Sequence, residues 1–182
     1  MKMPKTFAEG YLQFSFSDTW RVEKYDEHTD YVNKIQKLQE TKAIDFLGVH
    51  REANIFFMEV KDFRGYRIQN KTRISDGELA REIALKVRDT IAGVIGAVRM
   101  SGEPETWRPY VNAMRAREKH LRIVLWLEED RNVGRPEATT LTEMIKKEIF
   151  WITTRVLVVN RRIFNDIPPD LAVVSLAGAP GP

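Results

Sequence analysis

Asp45, Glu59 and Lys61 are ionisable side chains set inside apolar sequence, where a charge is costly unless something uses it. Residues 42–62 read KAIDFLGVHREANIFFMEVKD, two runs rich in Val, Ile and Phe of the kind that half-buried strands favour. Arg51, Glu52, Ala53 and Asn54 supply a polar break between them. Side chains along a strand alternate between faces, so Glu59 and Lys61 share one face and Val60 points to the other. The position of Asp45 depends on register. An odd-numbered connection, such as residues 51–53, sets it opposite Glu59, roughly 4.5–5.5 Å away. An even-numbered one turns it to the wrong face unless a bulge restores it.

Two facing carboxylates repel and are costly to bury, and a divalent cation between them removes that cost; hard oxygen ligands suit Mg²⁺ or Mn²⁺. A lysine two residues along can hold, or take a proton from, a water near the metal. These residue types therefore imply metal-assisted attack of water on a phosphodiester. The plainer alternative is a same-face Glu59–Lys61 pair on a solvated strand, with Asp45 at a turn or edge. Against it stand the depletion of Asp from strands and its neighbours Ile44, Phe46 and Leu47.

The arrangement of Asp45, thirteen intervening residues and then Glu59-Val60-Lys61 resembles the PD-(D/E)xK superfamily, the restriction-endonuclease-like and resolvase-like nucleases. Ile44 stands where the proline of that motif would be. The resemblance implies that Asp45 and Glu59 bind the metal, the backbone carbonyl of Val60 completes its coordination, and Lys61 assists the nucleophilic water. It also implies a further acidic ligand on or near the element before the first motif strand, for which Glu23, Glu27, Asp30 and Glu40 are the candidates. The RecB-like branch is less similar, because Gln69 is followed four residues on by Arg73 where that branch has tyrosine. The implied function is a Mg²⁺- or Mn²⁺-dependent endonuclease, with DNA favoured over RNA and a homodimer open to it. A catalytically inactive module of the same fold, binding nucleic acid or another subunit, is the alternative. A hydrolase of small phosphorylated metabolites fits less well, for want of a G-x-x-x-x-G-K loop.

Elements must position these residues. Residues 11–16 and 20–25 alternate apolar and polar about Ser17-Asp18-Thr19, which predicts a leading hairpin. Tyr31, Val32, Ile35 and Leu38 have the spacing of a short amphipathic helix. After the motif, residues 63–73 carry Arg64, Arg67, Lys71 and Arg73 with two aromatics and no acid, a composition suited to phosphate contact. Ser75-Asp76-Gly77-Glu78 has capping-box spacing ahead of a long helix whose stripe is Leu79, Ile83, Val87, Ile91, Val94, Ile95 and Val98. That helix is expected to pack on the motif sheet, with Gly93 and Gly96 allowing close approach and Lys86 a candidate for the rim of the site.

Residues 101–109 read as a loop and 110–119 as a short helix exposing Arg115, Arg117 and Lys119, a possible second phosphate surface interrupted by Glu118. Residues 120–127 form a strand. Thr140 to Glu143 repeats the capping-box spacing at the start of a helix, and strands at 155–160 and 171–176 follow, with a turn between them at Pro168-Pro169.

The whole predicts one α/β domain over residues 1–182 with a mixed central β-sheet flanked by helices. Its restriction-endonuclease-like core spans about 28–128, an added helix and strands 129–176, and a frayed tail 177–182. Hydrophobic residues make up 43% and charged residues 30%, as in a globular chain, and formal charge is only +3, so any attraction for nucleic acid must be local. Without cysteine there are no disulfides, thiol catalysis or thiolate metal sites. No secretory signal and no membrane-length apolar run stand out, which fits a cytoplasmic protein without a membrane partner.

Overall fold

The structure, a computed structural model, describes residues 3–130, 135–164 and 166–179. It is a mixed α/β architecture in three layers. The middle layer is a five-stranded sheet in the order β3 (Trp20–Lys24), β4 (Phe46–His50), β5 (Asn54–Asp62), β6 (His120–Glu128) and β7 (Val156–Val159). The first two pairings are antiparallel and the last two parallel. A second, three-stranded antiparallel sheet orders β1 (Lys5–Glu9), β2 (Leu12–Phe16) and β8 (Leu171–Ser175) with β2 in the centre. One-turn α1 (Thr29–Val32) precedes β4; α2 (Arg67–Ser75), α3 (Glu78–Met100) and α4 (Pro104–Arg115) connect β5 to β6, and α5 (Arg135–Ile149) connects β6 to β7.

The period-two pattern of β5 explains the layering. Ile55 and Phe57 enter a core shared with Leu79, Ile83 and Val87 of α3, Trp107 of α4 and Ile145 of α5, whereas Phe56, Met58 and Val60 enter a second core with Leu12, Phe14 and Phe16 of the small sheet. Helices thus cover one face of the central sheet and the small sheet covers the other. Each large side chain buried this way contributes roughly 1.5–3 kcal/mol. A one-residue slip of β5 would exchange the two faces, so its register is held firmly.

Several expectations are corrected. Residues 11–16 and 20–25 are not a hairpin: β2 pairs with β1 and β8, β3 pairs with β4, and residues 17–19 carry the chain from one sheet to the other. Both arrangements bury Phe14, Phe16, Trp20 and Val22, so alternation could not separate them. Gly48 of β4 leaves room for the Trp20 ring of the neighbouring β3, since a Cβ there would lie 3.0 Å from it. The expected helix over residues 30–39 is only α1 and a 3₁₀ turn at Ile35–Lys37. Ser75 is the last residue of α2 and makes no capping box; Gly77, at φ 76°, separates α2 from α3. α4 begins at Pro104, a favoured first position, and ends at Arg115, so much of the expected loop is helical. α5 begins at Arg135, placing Thr140 inside it, where its hydroxyl donates to the Pro136 carbonyl. Of the expected tail, residues 180–182 lie outside the described residues. Among those described, no helix is long and apolar enough to cross a membrane.

Candidate active site

The connection between β4 and β5 is three residues, Arg51 to Ala53, with Arg51 and Glu52 at φ 49° and 55°. Phe46 pairs with Met58, and one further step of that register sets Asp45 against Glu59. Asp45 is fixed from several sides. Its Oδ2 accepts from the Val60 N–H at 2.6 Å, and its carbonyl accepts from the Tyr25 N–H at 2.8 Å. The segment leading into it is pinned by α3, where the Thr90 hydroxyl accepts from the Ile44 N–H and the Asp89 carboxylate from the Lys42 N–H.

Glu59 and Lys61 point to the helix layer and meet α3. Glu59 is 1% exposed; its Oε1 lies 2.6 Å from Lys86 Nζ and 2.9 Å from Lys61 Nζ, while its Oε2 is buried with no hydrogen-bond partner. Lys86 Nζ also stands 3.8 Å from Asp45. Lys61 reaches on to Glu82 at 2.9 Å, and Glu82 in turn takes a 2.6 Å bond from Arg73 of α2. Glu82 and Lys86 are one helical turn apart, so the same face of α3 supplies both. Gly93 lets this helix lie close: a Cβ there would fall 2.1 Å from the Tyr25 hydroxyl.

A second group of carboxylates touches the first. Oxygens of Glu9 at the end of β1, Asp26 in the 3₁₀ turn Tyr25–Glu27, and Asp45 lie within 4.8 Å of one another. Lys24 sits against this group, 2.7 Å from Glu9 and 3.5 Å from Asp26.

Burial first, and the neighbouring Glu59 second, push the Asp45 carboxyl up to about 8, against the opposing pull of Lys86 and the Val60 N–H. Burial works against the Lys61 ammonium but is outweighed by Glu59 and Glu82, so its pKa stands above the ordinary lysine value. Burial likewise opposes ionisation of Glu82, yet Lys61, Lys86 and Arg73 hold it below the ordinary carboxylate range. Without a metal, then, Lys61 is a firm cation and not a base.

The donor set suits a hard divalent ion. Asp45 and Glu59 present oxygen ligands on one face, and the orphaned Glu59 Oε2 is a buried acceptor awaiting a positive partner. Lys86 supplies part of that positive charge from within the chain.

The other expected site residues have different surroundings. Arg64 is buried at 4% exposure, its guanidinium held by both Asp62 oxygens and by the Ser175 hydroxyl, so it is not free to meet phosphate. The turn at Gly65, φ 78°, folds the chain back there. Arg73 is engaged by Glu78 and Glu82. Lys71 is exposed on α2, and the side chain of Arg67 lies outside the described residues. None of the four acids named as further ligands belongs to the acidic group: Glu23 pairs with Lys5, Glu27 with Lys24, Asp30 with Lys34 and the Trp107 indole N–H, and Glu40 is exposed. The carboxylates that lie beside Asp45 are those of Glu9 and Asp26. Asp26 adjoins an expected strand and was open to sequence reasoning; Glu9 comes from the other sheet and carried no local signal. Of the histidines, His28 caps α1 and His50 pairs with Asp170. No family model matches the chain, and neither a curated protein nor a solved structure matches it.

Proposed function

We propose that the chain is a metal-dependent nuclease of the PD-(D/E)xK kind, hydrolysing phosphodiester bonds with DNA the favoured substrate. The observation that carries this reading is that Asp45, just before β4, and Glu59 of β5 both lie against Lys86, with a buried, unpartnered oxygen on Glu59 and Lys61 on the same face. Asp45, Glu59 and the Val60 carbonyl would hold Mg²⁺ or Mn²⁺. In a strand the N–H and C=O of one residue leave on the same edge, and the Val60 N–H already points at Asp45. Once bound, the ion supplies Lewis-acid polarisation of the phosphate and a more acidic water. Lys61, kept cationic by Glu59 and Glu82, orients that water or a phosphate oxygen. Lys86, on a long stem and 15% exposed, yields its place between the carboxylates to the incoming charge.

A second reading has an observation of its own. The Lys86 ammonium, 2.6 Å from Glu59, neutralises the acidic pair without a metal, as it would in an inactive module that keeps the fold for binding. Cleavage of supercoiled plasmid in Mg²⁺ or Mn²⁺ separates the two. The nuclease reading expects metal-dependent nicking that falls about a hundredfold or more in Glu59→Ala and Lys61→Ala variants with retained fold and DNA binding. Wild-type protein that cuts no DNA or RNA in either metal leaves the binding module.

A further inference from the structure

The opposite end of the central sheet carries a feature that the acidic site does not use. Where β5 and β6 begin, Asn54 beside His120, the surface holds an open trough of about 360 Å³. From Asn54 to Glu59 is five strand residues, so trough and acidic site are about 16 Å apart along the sheet. Arg115, Arg117, Lys119 and Arg155 line the trough together with Trp151, and no acidic side chain does. None of these four cations makes a salt bridge among the described residues. Four cations thus meet with no acid in the lining, a local positive patch in a chain whose formal charge is only +3.

The aromatic residues point the same way. Trp20, Trp107 and Trp126 are buried at 6%, 0% and 0%, whereas Trp151 is 50% exposed and its neighbour Phe150 74%. Both follow α5, in a segment the fold brings beside residues 115–119. Helix C-termini attract cations, which accounts for Arg115 at the end of α4. Arg117, Lys119 and Arg155 lie outside any helix, and that account does not reach them.

We infer that this trough binds single-stranded nucleic acid, its cations contacting successive phosphates and Trp151 stacking on a base. Cations alone would suit any polyanion. The exposed indole selects a ligand that also offers π faces, and an unpaired strand offers them where a duplex keeps them in its own stack. The inference uses none of the metal chemistry, so it stands or falls apart from the proposed nuclease activity.

Because the other three indoles are buried, Trp151 is also the reporter. Full-length protein is titrated in EDTA with a fluorescein-labelled oligothymidylate, with a labelled duplex of equal length and with polyphosphate as competitor, following tryptophan emission for the quench and the label's anisotropy for affinity. Saturable quenching by the oligothymidylate is expected, with affinity about tenfold weaker, and the quench lost, in Trp151→Leu. Arg115→Gln with Arg155→Gln should weaken binding and reduce the slope of log affinity against log salt by about 0.7 for each phosphate contact removed. The inference is overturned by an oligothymidylate that fails to bind, or by equal binding of polyphosphate or duplex. Binding that Trp151→Leu leaves unchanged overturns it too, as does a self-associated protein whose Trp151 is already shielded from acrylamide.

Discussion

The two ends of the central sheet treat charge in opposite ways. At the Glu59 end, carboxylates and ammonium groups are largely buried and answer one another in a chain from Asp45 through Lys86, Glu59, Lys61 and Glu82 to Arg73. At the Trp151 end, cations of similar number are exposed or, in Lys119, half-buried, and make no salt bridge among the described residues. Burial explains the difference. Inside, desolvation forces each charge to find a partner or a proton; outside, water stabilises an unpaired cation until a ligand arrives. The acidic end should therefore respond to protons and metal, and the basic end to salt and polyanions.

The pH dependence of stability should break or sharpen this contrast most. The folded-state pKa of Asp45, about 8, lies above the ordinary 3.8, so the folded protein binds a proton that the unfolded chain releases. The stability this carries is present below about pH 4 and lost as pH rises towards 8, at up to about 1.4 kcal/mol per pH unit inside that window. Urea unfolding in EDTA should show the decline in wild type and a flatter profile in Asp45→Asn. Parallel profiles would mean that Asp45 is not the group responsible.

Metal comes next in size. Mn²⁺ at a hundred times its Kd should stabilise the protein by about 2.7 kcal/mol, read as a rise in Tm. Glu59→Gln should abolish that rise and Trp151→Leu should keep it. Because Asp45 must lose its proton to bind the ion, Mn²⁺ affinity should climb with pH up to about 8. A pH-independent affinity would place the ion elsewhere.

Lys86→Met should cost about 2 kcal/mol in EDTA, less than the roughly 3–5 of a fully buried pair because the lysine keeps 15% exposure. The same variant should bind Mn²⁺ more tightly in calorimetry, the internal cation no longer competing. Unchanged affinity would show that Lys86 does not stand in the ion's place.

The smallest effect belongs to the basic end: Arg155→Gln should change stability by less than about 0.5 kcal/mol by urea unfolding. A larger loss would mean that this cation has a structural partner after all, and the contrast between the ends would weaken.

Much of the central site was legible because strand periodicity is local. Glu59 and Lys61 share a face by spacing alone; Asp45 was conditional on an odd connection, and the three residues found between β4 and β5 met that condition. Lys86 could be placed on the helix over the sheet but not at the carboxylates, since which turn of α3 faces them depends on the close approach at Gly93. Arg64 looked like a free cation in an acid-free stretch. Asp62, two residues before it and just outside that stretch, was the partner: its carboxylate accepts from both the Arg64 backbone N–H and the guanidinium, a local pair that the composition of residues 63–73 did not include.

By itself the sequence determined which side chains share a face within a strand, Glu59 with Lys61 above all, because alternation is a property of a few adjacent residues. Tertiary structure alone decided that β2 belongs to a second sheet, that Glu9 joins Asp26 and Asp45, and that Trp151 and Arg155 come to rest beside residues 115–119. These neighbours are far apart in the chain, and an apolar pattern records only that a face is buried, not what buries it.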